Sequence, residues 1–352
     1  MRSRSKLLLT LAAPFAGVLF AEIAARTFAP ESFPPPRAEG DLLIDSSEPM
    51  IRFENKPNGE QRITYSFGRD QNPVAVVSRA NEQGFRGAVV AREKPPDVFR
   101  IACIGDSHTF GYGVGEGETW VDVVREKLGE RGGSKRIEVM NCGVTAQDTE
   151  QEVEFLFARV LPYQPDLVLM QFFVNDAAIR DTKGTEGSEN DWLIRLTHPR
   201  RPGFVRWLRS HLRSVDVFAS GIYSRRHLAE FARTRSALFT DEGEGWQRVR
   251  AALIRARDRL SADRVQFAVV FFPFLVREDG ALVSRAAFAT VARFCDANTV
   301  ACWDLEPDFA NVDVDAMRVH PLDFHANAHG HRIFGEGVAK RLVEADWIEK
   351  TR

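Results

Sequence analysis

The hydrophobic rhythm of the chain changes three times. The first apolar segment, LLLTLAAPFAGVLFAEIAA (Leu7–Ala25), has no polar face and follows a short basic stretch holding Arg2, Arg4 and Lys6. At about 1.5 Å per helical residue, it is long enough to cross most of a bilayer. Residues 7–26 are therefore expected to form a transmembrane signal-anchor, with a cleaved signal peptide as the other reading. The nearest small-x-small pair, Thr27-Phe28-Ala29, is followed by Pro30, which hinders cleavage. The basic residues 1–6 should stay in the cytoplasm, and everything after Arg26 should lie outside it.

The second pattern covers residues 27–97. APESFPPPRAEG (Ala29–Gly40) is a proline-rich spacer, stiff and extended. Short alternating pieces, RITYSF (Arg62–Phe67) and VAVVS (Val74–Ser78), then predict a β-rich arm in which no chemistry is legible. From Val98 onward strands and helices alternate. Apolar runs at Phe99–Gly105, Arg136–Gly143, Asp166–Val174, Val265–Pro273 and Val300–Leu305 predict about five strands. Their near-continuous apolar character is that of a parallel sheet buried on both faces. Helices are predicted over Thr119–Glu130, Thr149–Val160, Arg248–Leu260 and Ala328–Glu344. A long insertion, about residues 177–263, separates the third and fourth strands.

Composition narrows the classes. A chain of 352 residues, 44% apolar and 27% charged, is enough for one sizeable α/β domain with insertions or for two small domains. Its net charge of −2, with no helix-turn-helix, zinc-finger or RNA-binding pattern, gives no sign of a nucleic-acid partner. Four cysteines without C-x-x-C spacing argue against a disulfide scaffold and a structural zinc site. Cys103 and Cys142 are expected as buried thiols on neighbouring strands. Cys295 and Cys302, a short turn apart, are either bridged or free.

Candidate chemistry begins at IACIGDSHTFGYG (Ile101–Gly113), where a strand breaks into a tight turn carrying Ser107. Parallel sheets place their sites at the carboxyl ends of strands. A serine hydroxyl there needs a base to take its proton and donors to hold an oxyanion. Asp323 and His325, two apart on a loop before the last helix, supply a carboxylate that can orient an imidazole. Gly143 and Asn175, each just after a strand, offer a backbone N–H and a side-chain amide.

These pieces resemble the SGNH (GDSL-type) hydrolase family from about Val98 to Val343, interrupted by the insertion. Gly105-Asp106-Ser107-x-Thr109-x-Gly111 is similar to its first block and Asn141-x-Gly143 to its second. Asn175-Asp176 is similar to the third, and Asp323-x-His325-x-Asn327-x-x-Gly330-His331 to the last. The third block carries Phe173 where the family usually has glycine, and the last uses the shorter D-x-H spacing, with Leu322 at the usual position of the acid. The resemblance implies Ser107 as nucleophile, His325 as base and Asp323 as the third triad member. The Ser107 and Gly143 N–H groups and the Asn175 amide would form the oxyanion hole. It also implies a three-layer α/β/α fold, flavodoxin-like with about five parallel strands, over residues 98–346.

Asp106 is read as holding the turn rather than as a second acid, and His108 as a residue beside the pocket rather than an alternative base. His320, His325, His329 and His331 cluster, and His325 and His329 have the i,i+4 spacing of a zinc pair. A metal site would also want a nearby Glu or a third ligand in register, and no metal is expected; a serine mechanism requires no cofactor. Between Arg195 and Arg235 the insertion holds ten Lys/Arg against two Asp/Glu. GFVRWLRSHLRSVDVF predicts one helix with Phe204, Trp207, Leu208, His211, Leu212 and Val215 on one face and Arg206, Arg209 and Arg213 on the other. That helix either packs on the core with a solvated basic face or forms a lid on an anionic membrane.

The sequence thus predicts a membrane-anchored, extracytoplasmic serine esterase, single-pass, periplasmic or at the cell surface. Its partners would be an ester substrate, with lipid- and glycan-linked esters both open, and the membrane itself. An O-acyltransferase acting on an envelope polysaccharide uses the same triad. A catalytically silent binding domain is the alternative from another class.

Overall fold

The computed structural model describes residues 16–27, 36–67, 72–130, 135–178 and 204–348. The first half of the expected anchor therefore lies outside the described residues. Its second half, 16–27, is helical (α1). Among the described residues no helix is long and apolar enough to cross a membrane.

The arm is β-rich, as its alternation predicts. Strands β1 (Arg37–Gly40), β4 (Glu60–Tyr65) and β5 (Val74–Arg79) form an antiparallel sheet, and β2 (Leu43–Asp45) pairs with β3 (Phe53–Asn55). Ile63 and Tyr65 from β4 bury against Val114 and Val319, while Leu42 and Ala80 bury against Phe110. The arm thus shares its apolar contacts with the main domain, on the side where the candidate serine stands.

The main sheet has five parallel strands. They are β6 (Val98–Gly105), β7 (Arg136–Gly143), β8 (Leu167–Phe172), β9 (Gln266–Phe271) and, after a small hairpin, β12 (Ala301–Asp304). That hairpin pairs β10 (Arg277–Glu278) with β11 (Ala281–Leu282). The order β7-β6-β8-β9-β12 is the doubly wound, flavodoxin-like one. Every residue of β6 and β8 is buried, so the sheet is covered on both faces. The register sets Gly105 beside Gly143, bringing the ends of β6 and β7 level.

Helices cover the sheet. Helix α2 (Ser107–Phe110) is a single turn, and α3 (Trp120–Gly129) starts at a reciprocal Thr119/Asp122 capping box. The stretch expected as one helix to Val160 is α-helical only over Thr149–Phe155 (α4) and widens into a π turn at Leu156–Val160. In the insertion the single expected helix is two, α5 (Phe204–His211) and α6 (Arg213–Ser236). Leu212 breaks it with extended angles, φ −114° and ψ 111°. Helix α7 (Glu244–Ala262) packs on α4 and buries Trp246, Val249 and Leu253 in the core. Helix α8 (Arg285–Ala297), which the sequence reading leaves unassigned, makes the crossover from β9 to β12. The last helix, α9 (Ala328–Glu344), has the predicted bounds and packs on α3. All four cysteines are free thiols, and Cys302 hydrogen-bonds Cys295.

Candidate active site

Strand β6 delivers its chain end into a turn that Asp106 caps, its Oδ1 accepting the His108 N–H at 2.9 Å. Ser107 opens α2, where an N–H has no intrahelical acceptor. Its Oγ lies 2.8 Å from His325 Nε2. On the far side of that ring, His325 Nδ1 lies 2.6 Å from Asp323 Oδ1, which also accepts the His325 backbone N–H at 3.0 Å. Asp323 and His325 belong to β14 (Asp323–Ala326), paired with β13 (Arg318–His320), and not to a loop. Residues two apart on a strand share a face, which is what joins this pair. Burial disfavours the Asp323 charge, but His325 and its two hydrogen bonds hold the carboxyl below the usual range. An ionised Asp323 keeps the proton on Nδ1 and leaves Nε2 to accept from Ser107.

The expected oxyanion donors lie beside the turn before Ser107 and beside α2, each already engaged in a different way. Asn175 is buried, and its Nδ2 donates to Asp106 Oδ2 at 2.9 Å, leaving a second amide N–H. The Gly143 N–H already donates to Asn141 Oδ1 at 3.1 Å, so an oxyanion must share it. A Cβ on Gly143 would stand 2.2 Å from the Phe110 backbone nitrogen, so only glycine lets α2 pack on the end of β7.

Beside the Ser107–His325–Asp323 line stands a second Asp–His pair. Asp106 Oδ1 lies 3.1 Å from His108 Nδ1, and the His108 and His325 rings are 4.9 Å apart. Burial opposes the Asp106 charge, yet His108 and the hydrogen bonds from His108 and Asn175 hold its carboxyl well below the usual range. Burial drives His108 toward its neutral form. Asp106 therefore does more than hold the turn, because it grips the Asn175 amide. Phe173, at the family's glycine position, fills the space over His108 with ring centroids 4.0 Å apart.

Sequence reasoning missed several neighbours. Tyr112 packs 4.5 Å from the His325 ring, Phe324 stacks on it at 4.6 Å, and Phe231 of α6 stacks on Phe324 at 5.1 Å. Arg86, buried in the arm, donates at 2.7–2.8 Å to the carbonyls of Phe110, Gly111, Val114 and Gly115. Only Tyr112 and Phe324, inside the motif segments, had a sequence signal.

The remaining histidines have other work. His320 bonds the Ser66 carbonyl at 3.2 Å, His331 Nδ1 accepts the Trp120 N–H at 3.1 Å, and His329 is exposed. Among the described residues no group of three or more His, Cys, Asp or Glu is placed to hold a metal. In the expected lid, Phe204 and Trp207 are 70% and 53% exposed and stack at 5.8 Å, so this face does not pack on the core. Arg213 is not on a solvated basic face. Its side chain is only 10% exposed and lies 3.7 Å from Asp216, because the break at Leu212 turns it inward. The side chains of Arg206 and Arg209 lie outside the described residues.

Residues 103–333 match the model of the GDSL-like lipase/acylhydrolase family. The chain belongs to that family. Its members are hydrolases of ester bonds, and the fold agrees. Among solved structures, a lipase/acylhydrolase from Enterococcus faecalis is similar at 15% identity and TM-score 0.42, over 70% of this chain and 96% of that one. A G-D-S-L family lipolytic protein from Desulfitobacterium hafniense matches at 14% and 0.40, over 68% and 98% of the two chains. An acetyl xylan esterase matches at 14% and 0.43, over 69% and 100%. A search among curated proteins gave no match.

Proposed function

We propose that this family member is a membrane-anchored, extracytoplasmic serine esterase working through an acyl-enzyme. The observation that carries the reading is the single hydrogen-bonded line from Ser107 Oγ through His325 to Asp323. His325 Nε2 takes the hydroxyl proton as Ser107 Oγ attacks the ester carbonyl. The oxyanion is held by the Ser107 N–H, the second Asn175 amide N–H and a shared Gly143 N–H. His325 then returns the proton to the leaving alkoxide. Water deprotonated by His325 attacks the acyl-enzyme and frees the acid. Anchoring is supported by the basic residues before Leu7 and by the apolar side chains that α1 exposes.

The test uses the purified full chain. Ser107→Ala should abolish labelling by a fluorophosphonate and lower p-nitrophenyl ester turnover by about 10⁴ or more. Near-wild-type turnover in that variant would overturn the assignment. With an acetylated glycan and a second glycan as acceptor, release of free acetate marks hydrolysis, and an acylated acceptor marks transfer. A wild-type chain that neither labels nor turns over would be a binding domain.

A further inference from the structure

Helix α1 is apolar and outward-facing except at one point. Val18, Leu19, Phe20 and Ile23 are all more than half exposed, yet the Glu22 side chain is only 11% exposed. It is buried against the break between α5 and α6. Glu22 Oε1 accepts the Arg213 N–H at 2.8 Å, and Oε2 accepts the Ser214 N–H and hydroxyl, each at 2.9 Å. These are first-turn N–H groups of α6, whose cap residue, Leu212, has no side-chain oxygen to serve them. One turn along α1, Arg26 Nε donates to Glu22 Oε1 at 2.7 Å, and Arg26 Nη2 donates to the His211 carbonyl at the end of α5 at 3.3 Å. A carboxylate thus meets the positive start of one helix and a guanidinium the negative end of the other.

Helix α6 continues to the catalytic wall. Eighteen residues beyond Arg213, about 27 Å along the helix, Phe231 stacks on Phe324, which stacks on His325. The exposed face near the break is apolar and aromatic. Phe204, Trp207 and Phe218 join the four α1 side chains, so seven of the twelve exposed large hydrophobics among the described residues gather on α1, α5 and the start of α6. Two features name the occupant of that face. Helix α1 continues the apolar segment from Leu7, and the stretch Arg195–Arg235 carries a surplus of eight positive charges. Exposed aromatic side chains within a basic stretch of sequence suit the headgroup region of an anionic bilayer.

We propose that Glu22 and Arg26 clamp the α5–α6 break to the N-terminal helix, so that the three helices seat as one unit in an anionic lipid surface. Helix α6 then relays that seat to the wall of the active site. This rests on the membrane-anchored esterase reading and adds to it a substrate class, esters carried by molecules embedded in the bilayer. The anchor helix is then a working part of the enzyme and not only a tether.

The test compares the full-length wild type with Glu22→Ala and Glu22→Gln in phosphatidylglycerol-containing vesicles. Two substrates are used, a soluble p-nitrophenyl acetate and a long-chain ester dissolved in the vesicle. Losing the cap should speed hydrogen exchange in the first turn of α6 about tenfold, with α7 unchanged. Turnover of the embedded ester should fall about tenfold relative to the soluble one. Fluorophosphonate labelling of Ser107 should persist in both variants and show that the main domain is folded. Glu22→Gln, which keeps the shape and loses the charge, should fall between wild type and Glu22→Ala. Unchanged exchange in α6, or an equal loss on both esters, would overturn the clamp. Failure of the wild type to label would instead sink the esterase reading, and its failure to sediment with vesicles would sink the anchor.

Discussion

Asp106 faces two ways. One oxygen takes both nitrogens offered by His108, and the other takes the Asn175 amide. It therefore fixes the direction of the remaining Asn175 N–H, and under the proposed mechanism it would be a positioning residue for the oxyanion. Asn175→Ala should lower kcat by roughly 10²–10³ with little change in KM. Asp106→Asn should lower kcat about tenfold or more, and the double variant should lose less than the product of the two single losses, since the two residues share one bond. An effect confined to KM would make these substrate-binding groups. Stability should follow the same residues. The Asp106 carboxyl is lowered in the fold, so its contribution is present above the ordinary carboxylate range and is lost as pH falls through the lowered value. His108, also lowered, adds to the loss as pH falls below the ordinary imidazole range. Melting temperature against pH should show a shallower acid limb in Asp106→Asn. The grouping of Ser107, His325, Asp323 and Asn175 was legible because each sits in a short local motif. Phe231 was not, because α6 meets Phe324 only through tertiary packing.

At the scale of elements, the loop that follows α2, the helix Ser107 opens, is secured from outside the main domain. Arg86 holds four carbonyls between Phe110 and Gly115 and lies 3.6 Å from Glu116. Removing it strands buried carbonyls, each costing on the order of 1–3 kcal/mol. Arg86→Leu should lower the melting temperature by several degrees and slow ester turnover, and Arg86→Lys should recover only part, because one ammonium cannot match the fork. A full recovery with lysine would mean that charge alone matters. The arm carrying Arg86 reads in sequence as plain alternation, so its role as a strap was invisible. The five strands and α9 were legible because their apolar runs and caps are local. The break at Leu212 was not, since the carboxylate that meets the N–H groups after it, Glu22, lies 191 residues from Arg213. The π turn after Phe155 likewise has no local signal in the chain.

At the scale of the whole molecule, charge is divided unevenly. The stretch Arg195–Arg235 holds ten Lys/Arg and two Asp/Glu in a chain of net charge −2, so the rest is acidic. On the proposed membrane-anchored reading, an anionic bilayer would attract the first region and repel the second, and the enzyme would dock with α5 toward the lipid. Each basic residue near such a surface contributes about 1 kcal/mol. Arg213 does not belong in that sum, because it is turned inward beside Asp216. Arg206 and Arg209 remain as the arginines of α5. With the full chain, turnover of an embedded ester should be faster in anionic than in neutral vesicles, and the advantage should shrink as salt shortens the screening length. Replacing Arg206 and Arg209 with Gln should cut that advantage by roughly 30-fold, the equivalent of about 2 kcal/mol. Arg213→Gln should leave the ratio alone and lower the melting temperature instead. Equal rates on both vesicles in the wild type, at low salt, would mean that α5 faces water and that the charge asymmetry has no part in docking.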